Sequence, residues 1–254
     1  MSGSPAEPMI ESDMPGALTL TAAEAAAALR KFANPAKVAA YRNFVKNSRE
    51  DIFLGVTTPL MRRVAKEFRG LPLREVRTLI RSQVHDERAL AYGILVLKFA
   101  KAVEADQARI YEFYLKNRSS MRDWDEVDGS APYIVGPYLM HRDKAVLYEL
   151  AVSKNLWDRR IALVATLPMI RKGLIADTLK LVEMVLGDKE DLIHKAGGWM
   201  LREVGKRDET ALKNFLSRHH TRMPRTMFRY AIERFPQKER LRYLHLGSKS
   251  DDTH

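Results

Sequence analysis

The sequence predicts an all-α protein whose helices stack as repeated pairs around a concave, basic groove. Three observations carry that expectation. No segment alternates apolar and polar residues with the period of a half-buried strand. About a dozen segments of roughly 8 to 18 residues do carry the helical period, and the links between them are too short for crossover strands, so consecutive helices are antiparallel neighbours. Arg62, Trp124, Arg160, Trp199 and Arg225 fall on every second helix, with about 36 and 39 residues separating Trp124, Arg160 and Trp199, the interval of a two-helix repeat. Stacked pairs of this kind favour a HEAT-like solenoid over a bundle and would gather the marked helices along one concave wall.

Composition bounds the function. The chain of 254 residues is 46% apolar and can bury a sizeable core. Its 43 Lys and Arg against 32 Asp and Glu give a formal net charge of +11, spread along nearly the whole length. The surface of the folded domain is therefore positive, which favours a polyanion as partner, nucleic acid before an anionic membrane. No apolar run is long enough to span a bilayer, and Glu7, Glu11 and Asp13 stand where a secretory leader needs a basic and then an apolar segment. A soluble, cytoplasmic monomer is expected. The absence of cysteine excludes disulfides, thiol catalysis and Cys-ligated zinc.

In chain order, residues 1–16 combine Ser, Pro, Glu and Gly without periodicity; with 248–254 they read as tails flanking a single domain over 17–247. Thr21-Ala-Ala-Glu24 is a capping box that opens a first helix to about Phe32, Asn34-Pro35 breaks it, and Pro35 opens a second. Thr57-Thr58-Pro59 supplies an N-cap and a first-turn proline for a helix to about Phe68. Its buried stripe is Leu60, Val64 and Phe68, while Arg62, Lys66 and Arg69 line up on another side, ordinarily a solvated face. Further helices are expected near 73–82, 87–100, 105–117, 124–140 with interruptions at Pro132 and Pro137, 143–153, 157–170, 175–186, 191–206, 209–216, 225–235 and 238–246.

Three stretches stand out chemically. In Met121-Arg-Asp-Trp-Asp-Glu-Val-Asp128, Trp124 and Asp128 are i and i+4 and share one helix face, so a ring and an anion are presented together. The plainer account is a core tryptophan beside acids that favour a helix N-terminus. In the 191–206 helix, Ile193, Gly197, Met200 and Val204 form an apolar row, and Lys195, Trp199, Arg202 and Lys206 form a second. Such a ring among cations suits phosphates and bases, although a cation–π contact at a helix junction has the same pattern. Gly197-Gly198 costs that helix roughly 1 kcal/mol each relative to Ala, which points to something packed close to its backbone. In Trp157-Asp-Arg-Arg160, Arg159 and Arg160 sit near a helix N-terminus where a phosphate could be held, or are simply solvated. Arg222, Arg225 and Arg229 add a positive patch. His219-His220 lack partners at metal-ligand spacing and read as surface residues, so no metal site and no cofactor are expected. Phosphate-binding loops, dinucleotide fingerprints and the common hydrolase motifs are absent.

Phe53-Leu-Gly-Val56 with Thr58-Pro59, Trp124-Asp-Glu-Val-Asp128, Asn155-Leu-Trp-Asp-Arg-Arg160 and Ile193-His-Lys-Ala-Gly-Gly-Trp-Met-Leu-Arg-Glu203 together resemble the AlkC/AlkD family of bacterial alkylpurine DNA glycosylases, the AlkD branch in particular. The resemblance runs from about Ala27 to Phe235. It implies a HEAT-like solenoid that grips duplex DNA in its concave groove, works from the backbone side and releases 3-methyladenine- and 7-methylguanine-type bases. By position, Asp128 falls on the family's catalytic aspartate, Trp124 and Trp199 on the tryptophans that flank the lesion sugar, and Arg160 on a phosphate-binding arginine. Phe44 falls where the branch has a tyrosine. The chemistry accords with such residues: an N-alkylated purine is already cationic, so one carboxylate beside the developing oxocarbenium ion suffices, with tryptophan faces adding to its stabilisation. A non-catalytic DNA-binding solenoid and a scaffold for an acidic protein are the other classes that the same pattern allows.

Overall fold

The computed structural model of the chain describes residues 20–44 and 50–248, without the side chains of 43, 44 and 244–248. Several helices begin where the sequence offers a cap or a proline. In α1 (Ala22–Arg30) the Thr21 hydroxyl accepts from the Glu24 N–H and the Glu24 carboxylate accepts from the Thr21 N–H, closing the expected capping box. Pro35 opens α2 (Pro35–Phe44) and Pro59 lies in the first turn of α3 (Thr58–Glu67). Then come α4 (Leu73–Ile80), α5 (His85–Phe99) and α6 (Glu104–Asn117). Between α2 and α3 the chain turns at Gly55, whose φ of 74° lies in the left-handed region and whose missing Cβ would collide with the Asn34 carbonyl oxygen. The only β-pairing among the described residues is an isolated bridge between Ile52 and Val84.

The stretch 124–140 breaks around Pro132, into α7 (Trp124–Asp128), a 3-10 turn at Ala131–Tyr133 holding Pro132, and α8 (Val135–Leu139), whereas Pro137, also expected to interrupt, sits in the first turn of α8, where the missing N–H costs no helical hydrogen bond. After α9 (Ala145–Ala151), the single helix expected over 157–170 is instead two, α10 (Leu156–Val164) and α11 (Leu167–Arg171). Pro168 is the reason: it has no N–H for the Val164 carbonyl, and it sits in the first turn of α11, where none is needed. Helices α12 (Ala176–Met184), α13 (Asp191–Arg207), α14 (Glu209–His219), α15 (Arg225–Ala231) and α16 (Gln237–Ser248) complete the chain. The tails expected at 1–16 and 248–254 lie outside the described residues, apart from Ser248, which ends α16.

Helices α3 and α4 pack on α5, α9 on α10, α10 on α13, and α13 on α14 and α15. Near neighbours in sequence are thus near neighbours in space, and the fold is an all-α repeat solenoid with one contiguous apolar core. The α13–α15 seam is the most intimate: at Gly198 an added Cβ would lie 2.5 Å from both the Met227 carbonyl oxygen and the Tyr230 Cβ, and at Gly197 it would lie 2.8 Å from the Met227 methyl. The close approach expected at Gly197-Gly198 is therefore another helix. One surface expectation is corrected: His219 is buried, its ring tilted on Phe215 at 4.5 Å, because it falls on the inward face of α14. No helix among the described residues is long and apolar enough to cross a membrane.

Candidate functional site

Two short helices and one long one converge on Asp128. Helix α7 is started by Asp123, whose carboxylate accepts from the Trp124 N–H at 2.7 Å, and it is anchored from beneath by a buried ion cluster. Arg88 of α5, without solvent exposure, donates through Nε to Glu126 at 2.7 Å, and through its two terminal nitrogens to Asp51 and, at 3.0 Å, to the Ser82 carbonyl. Glu126 also accepts from the Arg122 N–H at 2.9 Å. With Glu126 and Val127 turned inward, the i, i+4 geometry leaves Trp124 and Asp128 half-buried on the opposite face.

Helix α10 brings Arg160 to Asp128. Its Nε and one terminal nitrogen each donate to a separate carboxylate oxygen at 2.8 Å, a two-pronged pair, and its other terminal nitrogen donates to the Leu192 carbonyl at 2.5 Å. The Arg160 side chain is 5% exposed and that of Asp128 15%. Burial pushes the Asp128 carboxyl above the ordinary carboxylate range; the hydrogen bonds and charge of Arg160 work against that rise, and Asp125 adds to it. The phosphate-directed donors expected of Arg160 are therefore turned onto a carboxylate and a carbonyl.

Helix α13 forms the far wall. Trp124, Asp128, Arg160, Lys195, Trp199 and Arg202 line one cavity of about 340 Å³, together with Leu192 and with Tyr230 from α15. A carboxylate thus shares one cavity with two half-buried indoles, whereas the third tryptophan, Trp157, belongs to the core. Lys195 pairs with Asp191 at 2.8 Å, and Arg202 with Glu233.

Other expected contact residues lie elsewhere. Arg159 binds Asp188 through Nε at 2.6 Å and the Ser153 carbonyl at 2.8 Å, outside this cavity. Lys206, one turn beyond Arg202, pairs with Glu203 at 2.7 Å, also outside it. Arg225 and Arg229 are exposed on α15. Arg62 and Lys66 are exposed on α3 and line a second, adjoining cavity of about 740 Å³ that shares Trp124 and Asp128 with the first. Phe44 ends α2, and its side chain lies outside the described residues. The aromatic that α2 does bring to the larger cavity is Tyr41, one turn earlier, its hydroxyl donating to the Val56 carbonyl at 3.1 Å. Burial raises the Tyr41 pKa, and Asp86 and Asp125 raise it further.

Sequence reasoning missed Tyr41, Tyr230 and the pair of His85 with Asp125. His85 Nε2 lies 3.1 Å from Asp125, and the imidazole stacks on Phe53 at 4.9 Å. Burial opposes its charge, but the hydrogen bond to Asp125 and the charges of Asp125 and Glu126 prevail and push its pKa up to about 9. A usable signal existed only for Tyr41, which sits at helical spacing from Phe44 and carries the hydroxyl that Phe44 lacks. Among the described residues no group of three or more His, Asp or Glu side chains is placed to hold a metal ion.

The arrangement offers an ionisable carboxylate in one cavity with two tryptophans, inside a protein of strong positive charge. A solved structure titled "Predicted DNA alkylation repair enzyme from Enterococcus faecalis" shares this fold, with a TM-score of 0.65 over 81% of this chain and 97% of that chain at 17% sequence identity. No curated protein matches the chain in sequence. Residues 25–235, which carry Trp124, Asp128, Arg160 and Trp199, match the family described as DNA alkylation repair enzyme, and the chain belongs to that family.

Proposed function

We propose that the protein is a monofunctional DNA glycosylase that hydrolyses the N-glycosidic bond of cationic N3- and N7-alkylated purines in duplex DNA. The observation that carries this reading is that the Asp128 carboxylate lines one cavity together with Trp124 and Trp199. As the C1′–N bond breaks, its electron pair passes to the purine and cancels the positive charge there, and the sugar becomes cationic. Asp128 stabilises that cation by charge, and the indole faces stabilise it through their negative quadrupole. A water oxygen then bonds to C1′ and releases its proton to Asp128 or to solvent. No acid is needed, since the leaving base is already charged. No lysine nucleophile is needed either, so the strand is left abasic and uncut.

Arg160 serves this reading by fixing both oxygens of Asp128 and by keeping the carboxylate ionised despite its burial. The exposed Arg62, Lys66, Arg225 and Arg229 are assigned to backbone phosphates.

The test is incubation of the protein with methylated duplex DNA, followed by analysis of released bases and of strand integrity. Free 3-methyladenine and 7-methylguanine with intact strands are expected. Salt-dependent binding without base release would leave a non-catalytic DNA-binding solenoid, and no affinity for DNA at low salt would leave a protein scaffold.

A further inference from the structure

A third cavity, of about 310 Å³, opens where α3 and α5 run out and α4 and α6 begin, and it shares no residue with the two that hold Asp128. Buried Pro72 and Ile110, with Leu73 and Ala102, give it an apolar lining. The rest of the lining is cationic. Arg69 follows α3, Lys98 and Lys101 stand at the end of α5, and Arg109 comes from α6. Against these four the cavity holds one carboxylate, Asp106, which lies 3.7 Å from Arg109 with both side chains well exposed.

Lys98 is the least satisfied of the four. It is half-buried, and its ammonium donates to the Arg69 carbonyl at 3.1 Å but makes no ion pair among the described residues. Burial lowers its pKa and the charge of Arg69 lowers it further, against a smaller opposing pull from Asp106. A bound anion would relieve both effects. Helix macrodipoles explain a cation at the end of α5. They give no support to Arg109, in the first half of α6, nor to the convergence of four cations from three segments on one hollow.

The hollow continues the groove. Lys66 and Leu97 line the 740 Å³ cavity beside Asp128, whereas Arg69, one turn after Lys66, and Lys98, next to Leu97, line this one. Arg62, Lys66 and Arg69 thus lead along one side of the chain from the catalytic cavity to the hollow. A tetrahedral oxyanion suits such a place, because its several acceptors can take charge-assisted bonds from more than one donor. We propose that the hollow is a subsite for one backbone phosphate of the duplex flanking the lesion, bound by Lys98 and Arg109 with Arg69 and Lys101 around it. The proposal rests on the reading of the protein as one that acts on duplex DNA, and it is independent of which bond is broken there.

The test pairs protein variants with duplexes that carry one neutral methylphosphonate, moved in turn along both strands beside the lesion. A 2′-fluorinated 7-methylguanosine, whose glycosidic bond resists cleavage, fixes the register. At one flanking position the neutral link and Lys98→Gln should each weaken binding about 3- to 10-fold, and together no more than either alone, because both remove the same contact. Arg109→Gln should couple to that same position. Unchanged melting temperatures show that the variants are folded. Independent losses at every position overturn the subsite. Base release from an ordinary methylated duplex is measured in parallel with the wild type: release without coupling overturns the subsite alone, and coupling without release keeps the subsite and removes the glycosylase reading. Inorganic phosphate is titrated as well. Its saturable binding to the wild type and not to Lys98→Gln, with no coupling to any duplex position, would give the hollow to a free phosphate compound and overturn the proposal.

Discussion

Replacing Asp128 by Asn alters one charge in a site where that charge has two duties. The amide retains an acceptor for Arg160 but no longer neutralises it, and the Arg160 side chain, 5% exposed, is left without its anion. Breaking a buried pair from one side costs roughly 3–5 kcal/mol of stability; the residual exposure of Asp128 and the surviving bond to the Leu192 carbonyl place this case near the lower end. Excision should fall on the order of 10²- to 10³-fold, or about 3–4 kcal/mol of barrier, since the lost interaction is strongest when the sugar is cationic. Because the two figures are similar, they must be measured apart. Single-turnover release of 3-methyladenine, with enzyme in excess and well below the melting temperature, gives the barrier, and thermal unfolding gives the stability. Arg160→Gln is the control, since it breaks the same pair but keeps the carboxylate. At a pH where Asp128 is ionised it should lose comparable stability and far less rate. DNA affinity of Asp128→Asn should persist or rise, because an anion that repels phosphates is gone. Release at the wild-type rate by Asp128→Asn, or equal rate losses in the two variants, would refute the assignment of Asp128 as the reacting carboxylate.

Four other outcomes follow from the same geometry. Burial holds the Asp128 pKa above its ordinary 3.8, so the acid limb of the pH–rate profile should lie above that value. Arg160→Gln removes the group that lowers it and should move the limb further up. Trp124→Ala and Trp199→Ala should slow excision and cost less stability than Trp157→Ala, for which a core loss of about 3–5 kcal/mol is expected; equal melting losses in all three would return both indoles to the core. Arg62→Ala and Arg229→Ala should each lower the magnitude of the log–log salt slope of duplex binding by about 1, and an unchanged slope would remove that residue from the phosphate contacts. The raised pKa of His85 contributes stability that is complete below its unfolded value near 6.5 and is lost as pH rises through about 9, on the order of 3 kcal/mol. Unfolding measured at pH 6 and pH 10 should show that loss in the wild type and not in His85→Gln.

Much of the fold could be read from local rules, since caps and prolines act within a turn or two. Thr21 to Glu24, Pro35 and Pro59 placed helix starts, and Pro132 placed a break. The rule failed at Pro168, where the apolar period runs on through a break that only the missing N–H reveals. In the site, the common face of Trp124 and Asp128 was legible because both lie on one helix. The pairing of Asp128 with Arg160 was not, because 32 residues separate them and the contact depends on how α10 crosses α7. Arg159 and Arg160 are adjacent in sequence yet serve different carboxylates, a division set by the rotation of α10 about its own axis. Tyr230 was hidden for a related reason, since it reaches the cavity only because α15 lies against the glycines of α13.

That seam also determines how the groove can vary. Trp199 rides on α13 and Tyr230 on α15, so the gap across their side of the cavity is a spacing between layers of the solenoid. At Gly198 that spacing is at its minimum, and a single methyl group would have to move the α15 backbone outward by about 1 Å to restore ordinary contact. The aperture of the cavity is thus set by a buried glycine behind its wall. Under the proposed function, a change at Gly198 should alter the size of lesion that is excised while leaving Trp124, Asp128, Arg160 and Trp199 in place.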